Sequence, residues 1–132
     1  RTHGDTLLME LMPLPKRSLR EWGYEALIPQ YGGPHDYYDQ DKPARVETLR
    51  GLIGKHKPKL IVCYGKGCWA DFEKLFPGLE FKSITDGKSD AATLKSAGNG
   101  GQLVLLTHHL VAKTMNGQLE NVAKHIQQHR AL

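Results

Sequence analysis

Two adjacent histidines, His108 and His109, follow the apolar run Leu103-Val104-Leu105-Leu106-Thr107. An imidazole at a strand end can donate to a developing oxyanion when neutral, or hold phosphate when cationic. The same pair could also do no more than cap the end of a strand. His109 stands one step further toward the following loop, which makes it the histidine expected to face a pocket. Glu10 is the second unusual group, because it lies among Leu7, Leu8, Met9, Leu11 and Met12. Burying a carboxylate is costly unless it meets water or a cation. Glu10 is therefore read either as an acceptor at the floor of a pocket or as a solvent-facing residue on a half-exposed strand. Lys16-Arg17-Ser18 and Lys113 could hold phosphates while Trp22 or Tyr24 stacks on a base. Taken singly, these residues suit a solvated basic turn and two core aromatics better.

Other spacings exclude chemistry. Cys63 and Cys68 are separated by four residues, and no second cysteine pair completes a four-ligand zinc site. They read as a buried strand thiol and a helix-start thiol in a reducing compartment. Gly65-Lys66-Gly67 lacks the spacing of a phosphate-binding P-loop, and Gly65 reads as a close-packing position between strand and helix. The net charge of +4 favours a polyanionic partner without requiring one.

These groups need elements to position them. Thr6 to Met12 reads as a strand buried on both faces, ended by Pro13 and Pro15. Residues 16–42 form a long polar, aromatic segment with a short helix near Leu19 to Ala26. Asp41 and Pro43 should open a helix that presents Val46, Leu49, Leu52 and Ile53 on one face and stops before Pro58. Leu60-Ile61-Val62-Cys63-Tyr64 is the clearest strand, and Trp69, Phe72, Leu75 and Phe76 mark a second amphipathic helix. A short strand near 79–84, a loop over 85–101, a strand over 103–107 and a helix over 116–129 complete the order. In that last helix Leu119, Val122, Ala123 and Ile126 share a face. Apolar strands alternating with helices predict an α/β fold, a mainly parallel central sheet with helices on both faces. The strands near 6–11, 59–64 and 103–107 are expected to be parallel neighbours, with the site beyond their carboxyl ends.

Three segments together resemble the later part of the uracil-DNA glycosylase superfamily. They are Leu7-Leu8-Met9-Glu10-Leu11-Met12-Pro13-Leu14-Pro15, Leu60-Ile61-Val62-Cys63-Tyr64-Gly65-Lys66 and Val104-Leu105-Leu106-Thr107-His108-His109-Leu110. The first resembles the strand that ends in a base-reading Asn, the second the central strand with its aromatic-Gly turn. The third resembles the last strand, whose His precedes a DNA-inserting loop. The resemblance implies a three-layer fold and a base-flipping hydrolase that extrudes a uracil-type base and cleaves its glycosidic bond. It implies catalytic roles for His109 and His108, base recognition by Glu10, and DNA contacts from Lys16, Arg17, Ser18 and Lys113. Two departures stand out. The family's water-positioning motif precedes its first strand, and nothing before Asp5 supplies it, so this chain alone is expected to excise weakly. Glu10 also stands where the family has Asn, and an ionised carboxylate only accepts where an amide both donates and accepts.

The expectation is one domain over residues 1–132, lacking an N-terminal segment of its family. It acts in the cytoplasm as a monomer on damaged or single-stranded DNA, with no cofactor, no metal and no membrane. No apolar run approaches the roughly 20 residues of a membrane helix, and no apolar leader opens the chain. Two other readings stay open: a non-catalytic nucleic-acid-binding module, and a small-molecule or nucleotide-binding α/β domain.

Overall fold

The computed structural model describes residues 6–12, 14, 20–84, 94–99 and 101–130. It is a mixed α/β structure with a four-stranded open sheet and three helices among those residues. The chain divides into two units, Arg1–Gly51 and Leu52–Leu132.

The first unit corrects the sequence reading most. Thr6 to Met12 is not a strand of the sheet, and Leu7 and Leu8 are about three-quarters exposed, at 75% and 74%. An apolar run becomes a strand only where a partner ladder receives its backbone groups. Here the Arg45 guanidinium takes that place, with Nη2 donating to the Glu10 carbonyl at 2.8 Å and Nε to the Leu11 carbonyl at 3.2 Å. The expected helix near Leu19 to Ala26 is also absent among the described residues of that stretch, where turns run through Tyr24, Leu27 and Ile28. Trp22 instead meets Tyr24, Tyr31 and Tyr37 at ring separations of 5.4 to 6.0 Å. Aromatic edge-to-face contact of this kind fills a small core. The indole of Trp22 is thus a half-buried part of that core.

Helix α1 runs over Pro34–His56, nine residues further toward the N-terminus than expected. Its start is set by Pro34, whose fixed φ suits a first turn, and by Asp36, whose carboxylate accepts from the Gly32 amide at 2.8 Å. Asp41 and Pro43 therefore lie inside the helix. The ring of Pro43 withholds one amide from the helical ladder, a defect of about 3 kcal/mol that the local cue mistook for a start. Val46 and Leu49 are buried and Leu52 and Ile53 half-buried, as the apolar spacing required.

The second unit holds the sheet. Strand β1, Leu60–Tyr64, pairs in parallel with β4, Gln102–Thr107, and the register sets Leu60 opposite Leu103 and Tyr64 opposite Thr107. Helix α2, Trp69–Glu73, is shorter than its apolar spacing suggested, and Leu75 and Phe76 are buried in the turns that follow it. Strand β2 is Lys82–Ser83 and β3 is Lys95–Asn99. The strand order is β1-β4-β3-β2, and β3 pairs antiparallel with both neighbours. The sheet among the described residues is therefore mixed and not mainly parallel. Asn99 pairs with Gln102, which leaves a two-residue connection, and such a connection can join only antiparallel strands. β3 falls in the stretch expected to be a loop because Lys95-Ser96-Ala97-Gly98-Asn99 has no apolar alternation to mark it. β4 is the core: Leu103 to Thr107 are all at most 3% exposed.

Helix α3, Gln118–Arg130, turns a different face inward than expected. Leu119 is 59% exposed and Ala123 is exposed, whereas Gln118 is buried and Val122, His125, Ile126 and His129 are half-buried. Those positions recur at helical spacing. The inward face is polar because it meets polar partners on β3: His125 Nε2 lies 2.9 Å from Ser96 Oγ.

Candidate functional site

The parallel pairing of β1 with β4 brings two polar loops to one edge of the sheet. Beyond β1 the chain turns at Gly65, with φ 105° and ψ 96°, a conformation that side chains rarely adopt. The turn is tied down by the Gly65 amide, which donates to the Thr107 carbonyl at 2.9 Å, and by the Cys68 amide, which donates to the Gly65 carbonyl at 3.0 Å. Lys66–Cys68 forms one tight helical turn that delivers Trp69 into the core. The indole Nε1 then donates to the same Thr107 carbonyl at 2.9 Å, in a buried hydrogen bond. One strand-end oxygen therefore locks the two loops together.

The two histidines have different surroundings. His108 is only 6% exposed and lies 5.6 Å from the Trp69 ring, at an interplanar angle of 67°. Its Nε2 and the Oγ1 of Thr107 are buried with no hydrogen-bond partner among the described residues. His109 is exposed and stands edge-on to Tyr64, with centroids 5.5 Å apart and an angle of 86°. His109, the histidine expected to face a pocket, is the exposed member of the pair.

Two ammonium groups meet the same indole. Lys66 and Lys95 each place Nζ 5.9 Å from the centroid of the Trp69 ring. Lys95 also lies 3.8 Å from Glu73. The edge thus combines an exposed imidazole, a buried imidazole with an unused nitrogen, and two cations on an aromatic wall. Such a set can hold an anion or stabilise charge developing on a leaving group.

Of the residues singled out from sequence, His108 and His109 sit at this edge. Lys113 follows them in a short helical turn, Lys113–Met115, and is exposed. Glu10 belongs to the other unit, with an exposed side chain and a carbonyl held by Arg45. Lys16, Arg17 and Ser18 lie outside the described residues. Sequence reasoning missed Trp69 and Lys95 as site residues. Trp69 was legible only as a helix-face aromatic, although its place just after Gly65-Lys66-Gly67-Cys68 puts it beside a strand end. Lys95 carried no signal, since its strand was unmarked.

Cys63, buried on β1, has its thiol pushed up to about 12 by that burial. A thiol so raised is a packing group and not a nucleophile. Among the described residues no group of three or more His, Cys, Asp or Glu side chains could hold a metal ion, and no helix is long and apolar enough to cross a membrane. Known protein families, curated proteins and solved structures give no match to this chain.

Proposed function

We propose that this chain is a DNA-binding domain of the uracil-DNA glycosylase type, whose strand-end loops receive a flipped uracil-type base. The observation that carries the reading is the register of β1 on β4, which sets Tyr64 opposite Thr107. Tyr64-Gly65-Lys66 and Thr107-His108-His109 are two of the three segments that carry the resemblance, and this register puts them side by side. The three-layer arrangement of that family is part of the proposal. In its support, β1 stands at an edge of the sheet among the described residues, paired only with β4, and its other backbone edge is where a further strand would add.

In this reading Lys66, Lys95 and Lys113 face the phosphate backbone, and the base enters beside Tyr64 and His109. Water adds to the sugar carbon and gives up a proton to solvent as the glycosidic bond breaks, and the bonding electron pair leaves with the base. The His109 N–H stabilises the charge that develops on the departing base. Stacking and edge recognition offset an extrusion cost of a few kcal/mol.

Uracil release from single-stranded and duplex DNA tests the proposal. The 132 residues alone should release little uracil, and where the water-positioning motif is supplied His109→Ala should lower excision by about 100-fold, the scale for removing one such donor. Release unaffected by His109→Ala would sink the assignment of the site.

One observation favours a second reading, a nucleic-acid-binding module without chemistry. Glu10, the counterpart of the base-reading residue, has its carbonyl and not its carboxylate held in place. Under that reading DNA affinity falls steeply with salt, Lys16→Ala with Arg17→Ala flattens the slope, and no base is released.

A further inference from the structure

At the opposite end of the parallel strands from His108 and His109 lies a cavity of about 500 Å³ lined by Lys59, Leu60, Leu103, Ile126, His129 and Arg130, with Gly101 at its rim. We propose that it binds a small amphipathic anion, a phosphate or carboxylate that carries an apolar or aromatic body.

The floor is aliphatic and the lining cationic. Leu103 is buried, whereas Leu60 is left 37% exposed on the strand. Lys59, His129 and Arg130 supply the polar groups, and no carboxylate is among the described residues that line the space. His129 and Arg130 end α3, where cations suit the negative end of a helix. Lys59 precedes β1, so the helix dipole does not account for it. Its position is fixed by two contacts across the strand ends. The Leu103 amide donates to the Lys59 carbonyl at 2.8 Å, and Gln102 Nε2 donates to the Pro58 carbonyl at 2.8 Å. The third polar group is positioned by a glycine. A Cβ at Gly98 would lie 3.0 Å from Cε1 of His129, tighter than ordinary contact, so a side chain at position 98 would push the imidazole aside by a few tenths of an ångström. Apolar pockets with a few convergent polar groups are what small ligands use. Lys59 and Arg130 beside Leu60, Leu103 and Ile126 select an anion with an apolar body over either feature alone.

The test is amide chemical-shift perturbation in the 132-residue chain, with phenyl phosphate, inorganic phosphate and benzyl alcohol as probes. Phenyl phosphate should move the amides of residues 59–60, 101–103 and 126–130, with a dissociation constant on the order of 1 mM or tighter. Inorganic phosphate and benzyl alcohol should each bind about 10-fold more weakly, since each offers half of the recognised chemistry. Lys59→Gln changes an exposed side chain and should weaken phenyl phosphate about 10-fold with the rest of the spectrum unchanged. Gly98→Val should weaken it too, by displacing His129 while Lys59 and Arg130 remain. The wild-type protein alone can overturn the proposal: no shifts at these residues, or inorganic phosphate binding as tightly as phenyl phosphate, does so. Shifts confined to residues 64–69 and 107–113 overturn it as well.

Discussion

The indole Nε1 of Trp69 and the backbone amide of Gly65 donate to one oxygen, the Thr107 carbonyl, each at 2.9 Å. A carbonyl has two lone pairs, so both bonds form without competition. The loop after β1 and the end of β4 are thereby held as one edge.

Trp69→Phe removes the indole donor and keeps a ring against His108. The Gly65 amide still satisfies Thr107, so the loss should be about 1 kcal/mol, the net contribution of one hydrogen bond. Trp69→Ala should cost about 3 to 5 kcal/mol, because it also leaves a cavity. Urea unfolding followed by circular dichroism reads both, and an unchanged stability in Trp69→Phe would refute the assigned role of the hydrogen bond.

His108 should behave unlike other buried polar residues. Its Nε2 has no partner among the described residues, and a buried unsatisfied group costs about 1 to 3 kcal/mol. His108→Phe keeps a ring beside Trp69 and removes that cost, so stability should be unchanged or higher. A drop of about 2 kcal/mol or more in the unfolding free energy would show that a bound water already satisfies the nitrogen.

Cys63 makes alkaline conditions destabilising. Burial raises its thiol from the ordinary 9.0 to about 12 in the folded chain. Above the lower value the unfolded chain loses the proton while the folded chain keeps it, so stability falls as pH rises from about 9 toward about 12. Cys63→Ala should remove that part of the slope in urea midpoints measured across this range. In the folded protein Cys63 should resist alkylation until the chain unfolds.

His125 acts in the opposite direction. Burial, and then the neighbouring His129, hold it below its ordinary value of 6.5. As pH falls through 6.5 the unfolded chain gains a proton before the folded one does, so stability is lost on acidification. Unfolding midpoints from pH 8 to pH 5 should therefore fall less in His125→Gln than in the wild type, since glutamine does not titrate. An identical acid slope in both proteins would place the effect on other groups.

Periodicity and punctuation in the sequence determined β1, β4 and α3, because continuous apolar runs and helical spacing state local preferences that this fold keeps. They also marked the histidine pair as a strand-end feature, since Thr107 ends the apolar run. Other features depended on partners distant in the chain. Thr6 to Met12 reads as a buried strand, yet its carbonyls meet Arg45 and its leucines stay exposed. Lys95–Asn99 reads as a loop, yet it becomes a strand because β4 and β2 supply its ladder on both sides. Pro43 has the local mark of a helix start, but α1 begins at Pro34 and passes through it. The face of α3 is set by Ser96 and Gly98 on β3, which receive His125 and His129 where composition alone favoured Leu119. The contrast between buried His108 and exposed His109 likewise arises from Trp69 and Tyr64, 39 and 45 residues earlier in the chain. Local sequence fixes what a segment prefers, and only tertiary pairing decides which backbone donors and which ring faces are left to meet it.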